Sequence, residues 1–435
     1  MHCSLLLLPF ECVALLNFYP MNKVRLLFSS AILLFSSVLM AQDFNKIDST
    51  INAEIQQKNI AGGVAYIIHN NKVVLDKAYG YADVSHLKPM QTDAIFRIAS
   101  QTKAIISVAV LQLVEKQLIG LDDPIEKYIA SFSYQKVVLL ENDTFRMVDK
   151  IRSITIRDLL SHQSGISSAD EYPKFKPLFE KYALNQPLNK GFASLEEEVE
   201  HVAAMPLVHQ PGARFSYGLS TNVLGRLIEL VSGLPLDQYL AKNIFRPLKM
   251  RDTYFYLPKN KQDRLVKVYS KVSKDSLAEI NPAVYPVNYP LAPKGNYFSA
   301  IGGLVSTTHD YALFLQSILY DGSTTKRKRI LSLNTVNQLL SNQLGDKTFV
   351  FGGVKSLNTF GLGVGLTSPL GRVINNASVG SFFWGGAFNT AYMVDRKRNI
   401  ITLFYFQRMP FVLPPLLSKL EKMTIDIIDQ HTGNR

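Results

Sequence analysis

The chain has 435 residues, 47% of them hydrophobic and 19% charged, which excludes a disordered or fibrous protein and supplies core material for two or three ordinary domains or one large composite one. The formal net charge is +12, yet 47 basic and 35 acidic residues are scattered along the chain. Only Lys326 to Arg329 (KRKR) is dense, and it reads as a solvated loop, so no basic stripe calls for a nucleic-acid partner.

The stretch from Met21, MNKVRLLFSSAILLFSSVLMAQ, has a short basic start, a Ser-containing apolar run and Ala41 before Gln42. This predicts a secretory signal cleaved after Ala41, with translation starting at Met21 and residues 1–41 absent from the mature chain. An uncleaved membrane anchor is the alternative. Cleavage would leave 45 basic and 34 acidic residues and would remove both cysteines, Cys3 and Cys12. A mature chain without thiols excludes disulfides, a cysteine nucleophile and cysteine-ligated metal. The expected location is periplasmic or secreted.

A helix is expected from about Phe44 to Lys58, followed by two β runs, VAYIIHN and KVVLDKAYGYAD, joined as a hairpin at Asn70-Asn71. Phe96 to Lys103, FRIASQTK, then opens a run apolar on nearly every face, AIISVAVLQLVEKQ, which predicts an interior helix ending near Gly120. LDDPIEKYI continues the helical character. Ser100 falls at the helix N-terminus, where free N–H groups favour negative charge, and Lys103 follows one turn later on the same face. Taken alone, Ser-x-x-Lys reads as a capping serine and a surface lysine. Lys103 lies inside an apolar run, however, where a lysine kept neutral by burial could take the proton of a serine nucleophile.

Thr155 to Asp158 has the form of a capping box for a short helix ending at Ser164-Gly165, and the chain reads as helical with turns to about Pro247. Residues 254 to 296 read as a long excursion with little regular structure. Thr307 to Asp310 predicts a second capping box and a helix to near Gly322. FGLGVG, SFFWGGAFNTAYMVD and NIITLFYFQ are glycine-punctuated β runs, and LPPLLSKLEKMTIDIID is a closing helix. The fold class is α/β in the α+β sense: an antiparallel sheet made by both chain ends, flanked by helices, with an inserted, mainly helical part. Residues 42–435 read as a single unit, in which 42–100 and 295–435 carry the sheet and 101–294 the helical subdomain.

Three stretches together resemble the penicillin-recognising serine hydrolases, which include class C β-lactamases, penicillin-binding proteins and family VIII carboxylesterases. They are Ser100-Gln-Thr-Lys103, Tyr217 in PGARFSYGLSTNVLG, and Trp384-Gly385-Gly386 in SFFWGGAFNT, at the place of a Lys-Thr-Gly strand. TIRDLLSHQSGI, IFRPLKM, GGLVSTTHDYALF and FGLGVG add to a likeness spanning roughly residues 44 to 410. The resemblance implies that Ser100 attacks a carbonyl, that Lys103 and Tyr217 together manage its proton, and that the N–H groups of Ser100 and Ala387 hold the oxyanion. Which of Lys103 and Tyr217 is the base stays open. Gly385 and Gly386 would let a substrate lie against the strand, and His162 is read as structural. No HExxH or similar spacing predicts a metal, and no cofactor is expected.

Two departures bear on substrate. Leu219 stands where β-lactamases carry a polar Asn, and Trp384-Gly385 replaces the cation and hydroxyl that meet a β-lactam carboxylate. The pattern resembles the esterase branch and implies a carboxylesterase on small, neutral acyl esters. The competing readings are a D-amino-acid peptidase or β-lactamase-type activity, and a catalytically silent binding protein of the same fold. An α/β-hydrolase is disfavoured, because both approaches to G-x-S-x-G, at Gly165 and Gly218, lack the final glycine.

Overall fold

The computed structural model describes residues 44–142, 144–185, 191–282, 285–320 and 329–433. The expected signal, its cleavage point, both cysteines and Lys326 to Lys328 lie outside the described residues. The centre is an eight-stranded antiparallel sheet of β1 (Gly62–His69), β2 (Lys72–Asp83), β3 (Lys88–Pro89), β4 (Thr359–Phe360), β5 (Gly365–Leu366), β6 (Phe382–Gly386), β7 (Thr390–Asp395) and β8 (Ile400–Phe406). Its order is β4-β5-β6-β7-β8-β1-β2-β3, so β1 from the start of the chain pairs with β8 from its end, with Gly63 opposite Phe406 and His69 opposite Ile400. The β1–β2 turn has Asn70 and Asn71 at φ 48° and 62°, left-handed values that asparagine tolerates and that suit the twist of a two-residue hairpin.

Alternate side chains of β1 serve two cores. Ala65 and Ile67 join Phe404 of β8 and Ile47, Ile51, Leu417 and Leu420 from the apolar faces of α1 (Asn45–Gln56) and α6 (Pro414–Thr432). Val64, Tyr66 and Ile68 join the larger core with α2 (Thr102–Glu115) and α5 (Thr308–Leu319). Burial on both faces explains why β1 reads as a nearly continuous apolar run. In α2 every side chain from Thr102 to Leu113 is buried, so this helix lies between the sheet and the helical part.

That helical part carries α3 (Leu195–Ala204) and α4 (Ser220–Ser232), which pack on each other; α4 also packs on α2. The Thr155 capping box is present, with the Thr155 side chain accepting from Asp158 N and the Asp158 carboxylate accepting from Thr155 N, but its helix stops at Leu160. Four local expectations are corrected. α2 ends at Glu115 rather than near Gly120. LDDPIEKYI holds only one tight turn, Ile125–Lys127, because Pro124 is extended and the Asp123 carboxylate draws in Gly120 N, Lys127 Nζ and Tyr128 Oη. Strands Lys136–Glu141 and Thr144–Asp149 form a hairpin inside the helical part, and Tyr269–Ser273 pairs with Ser276–Glu279 inside the expected irregular excursion. Among the described residues no helix is long and apolar enough to cross a membrane.

Candidate active site

Ser100 sits half-buried in a tight turn, Ala99–Gln101, that runs directly into α2. Ala99 has φ +42°, a left-handed value that costs an L-residue with a Cβ about 1–2 kcal/mol. The strain is therefore stored at the residue preceding the serine, where the chain must turn sharply to present the hydroxyl.

One turn on, Lys103 is 3% exposed. Its Nζ donates to the Ile301 carbonyl at 2.7 Å and lies 3.2 Å from Ser100 Oγ, with the Tyr217 ring centroid 4.6 Å away. Burial lowers its pKa to about 7, and no charged partner among the described residues offsets that effect. Near neutral pH a large share of Lys103 is thus the free amine.

Tyr217 comes from the loop before α4, and that loop is tied from both sides. Ser216 N donates to the His162 carbonyl, Ser167 Oγ donates to the Tyr217 carbonyl, and Ser216 Oγ meets Tyr172 Oη and His209 Nε2. A Cβ on Gly218 would lie 2.5 Å from Ser167 Cα, so only glycine lets the two loops touch here. Tyr217 Oη is buried without a hydrogen bond of good geometry. Burial raises its pKa, and the nearby Ser100 hydroxyl and Trp384 indole only partly offset this. The tyrosine is consequently a neutral phenol at rest.

The Tyr217 ring sits in an aromatic wall. His162 is 4.7 Å away between centroids, Phe351 5.0 Å and Trp384 5.6 Å, while Trp384 also meets Phe349 and Phe360. Burial and the neighbouring Lys103 hold the His162 pKa well below its ordinary value, so the imidazole is neutral packing against the tyrosine. Phe349, Phe351 and Phe360 escaped the sequence reading because they are ordinary apolar residues until the fold brings them to Tyr217. The Ile301 tether escaped it because a backbone carbonyl leaves no side-chain signal.

On β6, Trp384 and Gly386 are buried on one face and Gly385 is half-buried on the other. The two glycines differ in what they permit. A Cβ on Gly385 would fit tightly, 3.3 Å from the Thr390 carbonyl oxygen, whereas one on Gly386 would lie 2.3 Å from the Ile98 carbonyl oxygen. Gly386 therefore serves a backbone-to-backbone approach that brings the end of β6 against the segment leading into Ser100. Ala387 follows immediately. Neither Ser100 N–H nor Ala387 N–H has an acceptor among the described residues, so both are free to bind an oxyanion. Leu219 is buried and lines a small void with Ile166, Leu184 and Val202. Among the described residues no group of three or more His, Cys, Asp or Glu side chains could hold a metal ion.

A half-buried hydroxyl, a buried amine beside it, a neutral phenol and two unpaired N–H groups are the parts that acyl transfer requires. Comparison with known proteins agrees in outline. A family model described as Beta-lactamase matches residues 47–416. Protein Rv1367c of Mycobacterium tuberculosis (strain ATCC 25618 / H37Rv) is 29% identical over 368 residues, 81% of this chain and 86% of that one. Esterase EstB of Burkholderia gladioli is 28% identical over 214 residues, 48% of this chain and 51% of that one. Among solved structures, EstCE1, described as a hydrolase with promiscuous acyltransferase activity, has TM-score 0.76 at 22% identity, covering 91% of this chain and 99% of that one. At that identity the likeness concerns the fold.

Proposed function

The chain belongs to the beta-lactamase family, and from that premise we propose that it is a serine hydrolase acting through an acyl-enzyme on Ser100, a carboxylesterase for small, uncharged acyl esters. The observation that carries this reading is the buried Lys103 amine, 3.2 Å from Ser100 Oγ. Neutral Lys103 takes the Ser100 proton as Oγ attacks the ester carbonyl, and the N–H groups of Ser100 and Ala387 receive the oxyanion. The ester C–O bond breaks, the proton passes to the departing alkoxide with Tyr217 as the neutral relay, and the alcohol leaves. Water then attacks the acyl-enzyme, giving up a proton by the same route and releasing the acid.

Trp384 argues for uncharged substrates. A buried indole offers no counter-charge to a substrate carboxylate, which weighs against β-lactamase and D-amino-acid peptidase activity. The intact Ser100, Lys103 and Tyr217 set weighs against a silent binding protein. Acyl transfer to an alcohol instead of water is the second reading, favoured by the aromatic wall of Tyr217, Phe351 and Trp384, on which an apolar acceptor could stack. Export by the Met21 to Ala41 segment belongs to the same proposal, and fractionation of expressing cells tests it.

Release of p-nitrophenol from short-chain esters by the purified protein and by Ser100→Ala tests the chemistry. The wild type should turn over and the variant should not. Nitrocefin hydrolysis faster than ester hydrolysis would overturn the substrate assignment.

A further inference from the structure

Lys103 has one fixed tether, the Ile301 carbonyl. Ile301 belongs to no helix or strand; it lies in the connection between Phe298 and Val305, so something other than regular structure must hold it. Its own N–H donates to Asn222 Oδ1 at 3.0 Å. Asn222, on α4 and fully buried, turns its other end to α3, where Nδ2 donates to Glu198 Oε2 at 2.6 Å. The same oxygen accepts from Tyr297 Oη at 2.8 Å. Glu198 is 5% exposed, and no lysine or arginine pairs with it among the described residues.

A buried carboxylate without a cation is expensive, so its retention calls for a cause. The geometry supplies one. Burial raises the Glu198 pKa to about 7, yet Oε2 accepts both bonds whether the group is ionised or carries its proton on Oε1, so it must face the Asn222 amino group, which leaves Oδ1 as the acceptor for Ile301 N–H. Reversing the amide would set oxygen against oxygen at one end and N–H against N–H at the other. Tyr297, four residues before Ile301, is bound to the same carboxylate, so both ends of the segment are referred to a single group. We propose that Glu198, acting through Asn222 and Tyr297, is the positioning residue for the Lys103 base: it fixes the Ile301 carbonyl that aims the lysine at Ser100. The inference rests on the serine-hydrolase reading above.

The test is ester hydrolysis across pH by Glu198→Ala, Glu198→Gln, Asn222→Leu and Tyr297→Phe, each checked for folding by circular dichroism and thermal melting. Asn222→Leu and Glu198→Ala should lower kcat by about tenfold or more with little change in KM, because a misaimed base affects the chemical step. Both should also displace the acid limb of kcat/KM by roughly half a pH unit, since the lysine loses its fixed acceptor. Glu198→Gln keeps an oxygen that can accept both bonds and should lose less than about threefold. Should either truncation fail to fold, Tyr297→Phe removes one hydroxyl from the same oxygen and should lower kcat in the same sense.

Folded variants with an unchanged kcat and acid limb overturn the inference, as a lowered melting temperature alone would mark a merely structural carboxylate. Glutamine as poor as alanine also overturns it, since charge rather than placement would then matter. A wild type with neither ester turnover nor fluorophosphonate labelling of Ser100 would overturn the hydrolase reading itself, and the inference with it.

Discussion

Replacing Lys103 with methionine should stabilise the fold while abolishing activity, and the gain should depend on pH in a defined direction. The folded lysine has its pKa depressed to about 7, against an ordinary value of 10.5 in the unfolded chain. Between these values the unfolded state binds more protons, so the wild type gains stability as pH rises; the contribution is complete above 10.5 and is lost as pH falls through about 7. At about 1.4 kcal/mol per pH unit the gap corresponds to about 5 kcal/mol as an upper bound, which relaxation around the buried charge lowers. Lys103→Met has no such dependence; it loses the bond to Ile301 and the contacts of Nζ with Ser100 Oγ and the Tyr217 ring. Its advantage over the wild type should therefore be largest at pH 6 and nearly vanish at pH 10.

Urea unfolding at both pH values reads this directly. The only tryptophan, Trp384, packs on Tyr217 and reports the site by fluorescence. Every other titrating group is common to both proteins, so the difference isolates Lys103. Stability curves that run parallel from pH 6 to 10 would mean that the buried lysine keeps its proton throughout, and the argument for an amine base would fail.

Activity should follow the same group, with kcat/KM for a p-nitrophenyl ester rising through about pH 7 as Lys103 deprotonates; a profile flat from pH 5 to 8 would contradict it. Gly386→Ala should drive β6 away from the Ile98 carbonyl and lower kcat/KM by about a hundredfold or more, with steady-state kinetics and thermal melting separating that from unfolding. Phe351 is 37% exposed, so Phe351→Ala should leave the melting temperature nearly unchanged while raising KM several-fold for aromatic esters and less for acetate esters. Glu421 is fully buried beside Asn375, and burial raises its pKa to about 7. Its contribution to stability is present below its ordinary 4.5 and is lost as pH rises through about 7, so Glu421→Gln should flatten the wild-type decline between pH 5 and 8 by up to about 3 kcal/mol in urea unfolding.

What the sequence disclosed and what it concealed divide along a physical line. The Asn70-Asn71 turn, the Thr155 capping box and the Ser100–Lys103 spacing are settled within a few residues, and all three are legible. The α5 start shows the boundary. Thr307 caps Asp310 N as expected, but the Asp310 carboxylate turns away to Asp252 N and Thr253 Oγ1, partners far off in sequence. Strands Lys136–Glu141 and Thr144–Asp149 pair, and the Val138 N–H reaches the Leu207 carbonyl, a docking partner that no local pattern announces. The site divides the same way. Ser100 and Lys103 form a local motif, whereas Phe351, Ile301 and the order of the aromatic wall are products of tertiary packing.

The pairing of β1 with β8 also sets a schedule for the protein's own synthesis. Ser100 and Lys103 emerge early, but the β6 backbone that abuts Ile98, the Ala387 N–H and the Trp384 wall all emerge near the other end of the chain. Contacts so distant in sequence close slowly and late. On the proposed mechanism, until they close the growing chain would carry Ser100 without the N–H pair that receives the oxyanion, and should neither acylate itself nor attack esters around it. Competence would then be conferred by the last strands to arrive, leaving the half-made molecule inert.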